Sequence, residues 1–248
     1  MNNTFDFNRF KKVLARDYRA TYSRFGLAAL ILSLLVVTVW IFYLVWDNTF
    51  HYIAEPDWVD YQIAIGERFS TILSGIAISF AIAPATIYKS CNLKGRGNYY
   101  AMLPASHLEK YLSMFFYCCI VAPLAVLLGS FIVDTLLTLL PIGYFKGFIW
   151  NWSNFSEDYF VEYISSFIAF LFLTSSIFMF TNTLFKRAKF IKTALWLMLI
   201  GFVLLITDIA FPALFDFIGS FWVKFIIMLI ISFVLQFFTY RRLKRMQY

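Results

Sequence analysis

Residues 102–110 read Met-Leu-Pro-Ala-Ser-His-Leu-Glu-Lys and lie between two long apolar segments. Ser106 and Glu109 have the spacing of a capping box, in which the side chain of each residue bonds the backbone N–H of the other. Pro104 disfavours a helix that runs through from the preceding residues. The stretch therefore predicts a polar loop that ends sharply and a helix that begins at Ser106, next to a membrane surface.

The composition indicates an integral membrane protein. Of the 248 residues, 61% are hydrophobic and 14% are charged, whereas a soluble domain carries about 25% charged residues. Apolar runs of about 20 residues, which is long enough to cross a bilayer, recur along the chain. We predict an all-α polytopic membrane protein whose six transmembrane helices span about 25–46, 69–88, 111–140, 163–185, 190–209 and 221–240.

Both ends of the chain are basic. The first 24 residues place apolar side chains three or four apart on one helical face flanked by bases: Phe7, Phe10, Leu14 and Tyr18. This pattern predicts an amphipathic interfacial helix over residues 1–24 that rests on anionic headgroups, although a juxtamembrane retention signal explains the same charges. Residues 25–240 then form the transmembrane domain, and residues 241–248 form a basic tail.

The distribution of Lys and Arg predicts the topology. Eighteen of the 21 fall at the two ends of the chain, in the loop 89–110 or between the fourth and fifth spans, and the other three are Arg68, Lys146 and Lys224. Under the positive-inside rule, both termini and the loop 89–110 face the cytoplasm. Because the bases alternate along the chain and form no single stripe, the charge does not indicate a nucleic-acid partner.

Two local patterns predict how the spans pack. Gly75, Ser79 and Ala83 recur every four residues and give the second span a narrow face for close helix contact. Pro123 near the middle of the third span permits a kink. Asp134 near the far end of that span is either a boundary residue or a functional group in a wet cavity.

The chain lacks the residue patterns of an enzyme site. The Gly-x-x-x-x-Gly-Lys-Ser/Thr phosphate loop is missing from the sequence, and the three cysteines have no metal-ligand spacing. The two histidines, His51 and His107, fall on opposite sides of the predicted topology. We therefore expect no catalytic, cofactor-binding or metal-binding residues in this chain, and an intramembrane hydrolase is disfavoured.

The Leu-Pro-Ala-Ser-x-x-Glu-Lys stretch between the second and third spans resembles the membrane-spanning permease subunits of bacterial type-2 ATP-binding-cassette (ABC) exporters. The order of a basic amphipathic N-terminus, six spans and a motif after the second extends the resemblance along the chain. It implies a permease of the bacterial cytoplasmic (inner) membrane, paired with a second permease chain of the same or a similar kind. A separate cytoplasmic ABC ATPase would bind ATP and Mg.

The resemblance also implies which residues contact the ATPase. In that family the loop after the second span carries a short coupling helix, so the candidates lie in residues 89–110: Arg96, Ser106, His107 and Glu109. Of these, only Ser106 and Glu109 match the family motif, and a role confined to capping a helix stays open for both. The substrate-binding residues are not indicated.

Two other functions remain as alternatives: a membrane carrier that uses no ATPase, and a membrane assembly or immunity factor. An ion-coupled carrier usually has charged residues within its spans. Apart from Asp134 and Asp208, both near outer ends, the six predicted spans contain no acidic residue, which argues against a carrier.

Overall fold

The computed structural model describes residues 5–50, 58–89, 104–139, 157–185, 188, 190–199 and 221–245. Within these ranges the chain forms helices and no strands, which confirms the all-α class there. The elements are α1 (Phe7–Ser33), α2 (Leu35–Phe50), α3 (Trp58–Ile87), α4 (His107–Phe116), a π-helical turn (Tyr117–Val121), α5 (Ala122–Thr138), α6 (Glu157–Leu184), α7 (Phe190–Leu199) and α8 (Phe221–Arg245).

Five of the described helical segments are long and apolar enough to cross a membrane: Phe7–Phe42, Ile65–Ile87, His107–Thr138, Ile164–Leu184 and Phe225–Arg245. These segments fit an integral membrane protein. Ten residues of the predicted fifth span at 190–209 are described, and they form α7. Residues 200–209 lie outside the described ranges, so the count of six spans is not established.

The helices extend beyond the predicted spans. α1 crosses the expected boundary after Arg24 without interruption, and its first break is at Leu34. Residues 47–68 lie between the first two predicted spans, yet their second half is helical, because α3 begins at Trp58. Hydropathy marks where the bilayer ends, whereas a helix continues wherever its backbone hydrogen bonds remain the best available.

Contacts between helices fix their relative directions. Arg24 in the second half of α1 meets Ile87 at the end of α3, and Trp40 further along the chain meets Arg68. The α1–α2 segment is therefore antiparallel to α3. Ser33 on α1 meets Val126 on α5, while Tyr117 meets Leu14, so these two segments are parallel.

α6 and α8 also run parallel. Gln236 of α8 bonds Ser176 of α6, and Arg242 further along bonds Thr183. Thus α1 and α4 begin, and α3, α6 and α8 end, on one side of the bundle. We call this side the basic end and the opposite side the far end.

The core consists of two apolar clusters. One lies toward the basic end and includes Phe25, Ile87, Met114 and Val126, and the other lies toward the far end around Val36 and Trp40. The small-residue face of the second span packs inside the bundle, as predicted: Gly75, Ser79 and Ala83 are all buried. A Cβ atom on Gly75 would lie 3.4 Å from the Leu32 carbonyl oxygen, which shows how closely α1 approaches α3.

The third span changes its helical pitch just before Pro123. The Ala122 N–H bonds the Tyr117 carbonyl, five residues back, and closes a π-helical turn over Tyr117–Val121. A proline ring clashes with the carbonyl four residues before it, here that of Cys119. A π-helical turn at that point is a known way to accommodate such a disturbance within a long helix.

Candidate functional site

The capping box predicted at residues 106–109 is present. Ser106 Oγ accepts a hydrogen bond from the Glu109 N–H at 3.3 Å, and Glu109 Oε2 accepts one from the Ser106 N–H at 2.9 Å. This confirms the predicted helix start, since α4 begins at the next residue, His107. The exchange satisfies two backbone donors that a helix N-terminus otherwise leaves unpaired.

The second oxygen of Glu109 joins this helix start to that of α1. Glu109 Oε1 accepts from the Asp6 N–H at 2.8 Å and from Arg9 Nη2 at 3.2 Å. The Asp6 side chain in turn caps α1 by accepting from the Asn8 N–H at 2.8 Å. The Glu109 side chain is fully buried, with 0% exposed. One carboxylate therefore fixes the first turns of α1 and α4 against each other.

A second buried carboxylate lies deeper at the basic end. Asp17 on α1 is 3% exposed, and its Oδ2 accepts hydrogen bonds from Tyr88 Oη at 2.9 Å and Ser113 Oγ at 2.7 Å. These contacts join α1 to the residue that follows α3 and to α4. Sequence reasoning missed Asp17. Its signal was a lone acid among bases, four residues from both Val13 and Thr21 on one helical face.

Side chains from neighbouring helices cap the helix ends on the same side. Arg24 Nη1 donates to the Ile87 carbonyl at 2.7 Å, and Asn182 Nδ2 donates to the Pro84 carbonyl at 2.8 Å. Arg242 Nε donates to the Thr183 carbonyl at 3.2 Å. The last carbonyls of a helix have no partner within it, so these bonds tie α3 and α6 to the rest of the bundle. The basic end is held together by polar contacts between five helices.

The four predicted contact residues have different surroundings. Ser106 and Glu109 lie together, but both side chains are buried against this chain. His107 is partly exposed and follows Ser106 directly, while Arg96 lies outside the described residues. The exposed side chains of the described loop are Pro104 and Leu108, the latter 41% exposed. Sequence reasoning predicted neither of these two as a contact residue, since only their exposure indicates that role.

The far end contains a buried ion pair, in which Asp134, expected as a boundary residue or a group in a wet cavity, is paired with Arg68. Arg68 Nε lies 2.8 Å from Asp134 Oδ1, and Arg68 Nη2 lies 2.6 Å from Asp134 Oδ2, a two-pronged contact between α3 and α5. The two residues are 0% and 3% exposed. The apolar pattern predicts Arg68 in a loop, but the extension of α3 makes it helical and places it within the candidate span Ile65–Ile87.

Trp40 completes this group at the far end. Its indole Nε1 donates to Asp134 Oδ1 at 3.4 Å, and the Arg68 guanidinium lies 5.0 Å from the centre of its ring. An arginine that is stacked on an indole and paired with a carboxylate has its charge satisfied without water. Asp134 therefore lies inside the protein, paired with a base.

The described residues contain no group of three His, Cys, Asp or Glu that could hold a metal ion. The chain matches no protein-family model, no curated protein and no solved structure. Its function is therefore argued from the sequence motif and from the geometry of the two ends of the bundle.

Proposed function

We propose that this chain is the permease subunit of a bacterial ATP-driven exporter of the type-2 ABC kind. The observation that carries the proposal is the Glu109 junction, in which the motif residue of the loop bonds the starts of both α1 and α4. In this proposal a separate cytoplasmic ATPase binds ATP and Mg, docks on the loop 89–110 and pushes on it. A second permease chain, the same or similar, completes the transporter.

The junction gives a route by which such a push moves the spans. A force on residues 104–108 reaches α4 directly and reaches α1 through the bonds of Asp6 and Arg9 to Glu109. Asp17 then connects α1 to Tyr88 after α3. Rigid helices joined by satisfied buried polar contacts move as bodies rather than bending locally. In this arrangement Ser106 and Glu109 position the docking surface, and Leu108 and His107 touch the ATPase.

The proposed topology has six crossings with both termini in the cytoplasm of a bacterial inner membrane. The concentration of bases at the basic end supports that orientation under the positive-inside rule. The parallel course of α6 and α8 supports the sixth crossing, because two spans that run in one direction need a return between them. The exposed aromatic residues Phe7, Tyr18 and Tyr22 on α1 support contact of that helix with the interface.

The test is co-purification of ATPase activity with the tagged chain from its native membrane in mild detergent. We expect the activity to accompany the wild type and to fall at least about tenfold with Leu108→Asp, because a buried charge at an interface is costly. Lys12→Asp, exposed at the same end, serves as the control. A folded wild-type sample that carries no ATPase contradicts the proposal.

A membrane carrier that uses no ATPase is a second candidate, and the Arg68–Asp134 pair favours it. Buried ionisable residues in membrane spans often mark ion or proton pathways. A carrier would move protons or Na⁺ across liposomes that contain the pure protein alone, and Asp134→Asn would abolish the flux. In the exporter, the same substitution affects stability, and no flux occurs without the ATPase.

A further inference from the structure

A cavity at the basic end is bordered by three arginines. It has a volume of 480 Å³ and is lined by Phe180, Phe238, Arg241, Arg242 and Arg245. Its volume lies within the range of about 300–1,000 Å³ typical of small-molecule sites. It is separate from the Glu109 junction, because it lies between the last turns of α6 and α8.

The cavity has a basic rim and an apolar floor. Arg241 and Arg245 are one helical turn apart on α8 and therefore share a face. The rings of Phe180 and Phe238 lie 6.4 Å apart between α6 and α8. Arg242 is held in place by its bond to the Thr183 carbonyl. A ligand that fits both parts carries a negative group and an apolar body.

The surrounding sequence leaves this positive charge without nearby acids on the two helices that form the site. No Asp or Glu occurs at residues 163–207 or 217–248. The ion pairs among the described residues involve Arg9 and Arg68 and do not include these three arginines. Guanidinium groups bind phosphate oxygens in pairs, more strongly than an ammonium group does.

The geometry points to a binding site for one anionic phospholipid, with its phosphate among Arg241, Arg242 and Arg245 and its first chain carbons against Phe180 and Phe238. The apolar floor favours a lipid over free phosphate, because free phosphate has no apolar part to pack against two phenyl rings. α8 changes at this point from an apolar stretch to four bases in five residues, Arg241–Arg245, as a helix does where it leaves the membrane. The lipid would bridge α6 and α8.

The test is native mass spectrometry of the purified chain with phosphatidylglycerol or phosphatidylcholine added to the micelles. We expect retained phosphatidylglycerol, little phosphatidylcholine, and at least about tenfold weaker phosphatidylglycerol binding in the Arg241→Gln, Arg245→Gln double variant. Arg242 stays intact in this variant because it caps α6. The control is Lys12→Gln, Arg19→Gln, which removes two exposed charges at the same end.

Three outcomes would overturn the assignment. Equal loss in both double variants means that the lipid responds to overall charge and not to this cavity. Equal retention of phosphatidylcholine means that the arginines do not select an anionic headgroup. Displacement of the lipid by millimolar inorganic phosphate means that the site takes free phosphate. A matching thermal unfolding curve for the two double variants excludes misfolding as the cause of a difference.

Discussion

At the scale of single residues, the Glu109 carboxylate accepts hydrogen bonds from three donors: the Asp6 N–H, the Ser106 N–H and the Arg9 guanidinium. Glu109→Ala removes the acceptor of all three bonds, of which the one from the Ser106 N–H is buried and the other two are partly buried. We expect it to destabilise the protein by about 2–3 kcal/mol, since hydrogen bonds to charged groups contribute about 1.5–3 kcal/mol. Thermal unfolding in detergent measures this loss.

The same variant also reports which helix is released. Trypsin should cut at Lys11 and Lys12 faster in Glu109→Ala than in the wild type, because the first turn of α1 loses its bonds to α4 while the deeper contact of Asp17 with Ser113 remains. Arg19→Ala is the control, since it changes an exposed residue on the same helix. Its free energy of unfolding should lie within about 0.5 kcal/mol of the wild-type value. If α1 keeps its resistance to trypsin in Glu109→Ala, the junction does not hold that helix.

The Arg68–Asp134 pair predicts a different pattern, in which the double substitution does less harm than either single one. Arg68→Met and Asp134→Leu, each made alone, leave an uncompensated buried charge and should cost about 3–5 kcal/mol. The double variant with both Arg68→Met and Asp134→Leu removes both charges and keeps the volume. Its free energy of unfolding should therefore be close to that of the wild type or higher. Mixed-micelle unfolding in SDS measures all three.

Additive losses in that cycle would show that the two residues do not depend on each other. A stable double variant that no longer functions would show that the pair is retained for activity and not for stability. The stability measurement therefore also informs the choice between the two candidate functions.

At the scale of elements, α1 and α5 are in close contact at Gly129. A Cβ atom there would overlap Ser33 Oγ and lie 3.0 Å from Ser33 Cβ. We expect Gly129→Ala to push α5 away from α1 and lower the unfolding temperature. Adding Ser33→Ala should restore part of the loss, because it removes the nearer of the two contacts.

The control for Gly129 is another helical glycine with room around it. A Cβ atom on Gly66 of α3 would meet nothing within 4 Å. Gly66→Ala should therefore stabilise the protein by up to about 1 kcal/mol, because alanine loses less backbone entropy in a helix. If the two variants behave alike, close packing of α1 on α5 is not what Gly129 provides.

At the scale of the whole molecule, the directions of the helices predict which sites face the same compartment. Single cysteines at Asn8 and Arg245 lie at the basic end, and one at Leu139 lies at the far end; all three positions are exposed. In a cysteine-free background, an impermeant maleimide should label Leu139→Cys in intact cells. It should label the other two only in inverted vesicles. Labelling of Asn8→Cys and Arg245→Cys from opposite sides would contradict the topology.

The sequence predicted features that are local along the chain. The capping box depends on two residues three apart, and the apolar runs depend on windows of about 20 residues, so both could be read directly. Arg68 and Asp134 are 66 residues apart in sequence, and nothing local relates them. Hydropathy also placed Arg68 outside the membrane, because a cation ends an apolar run even where the helix continues. Asp17 was hidden in the same way among the bases of α1.

The bond between Asp6 and Glu109 has a consequence for biosynthesis. The two residues are separated by 103 positions, and a ribosome adds about 5–20 residues per second. Glu109 is therefore synthesised roughly 5–20 s after the first turn of α1. During that interval the first two predicted spans are synthesised, and the start of α1 has no bond to Glu109. The attachment thus forms only after the third span has begun, when fewer than half of the 248 residues have been added.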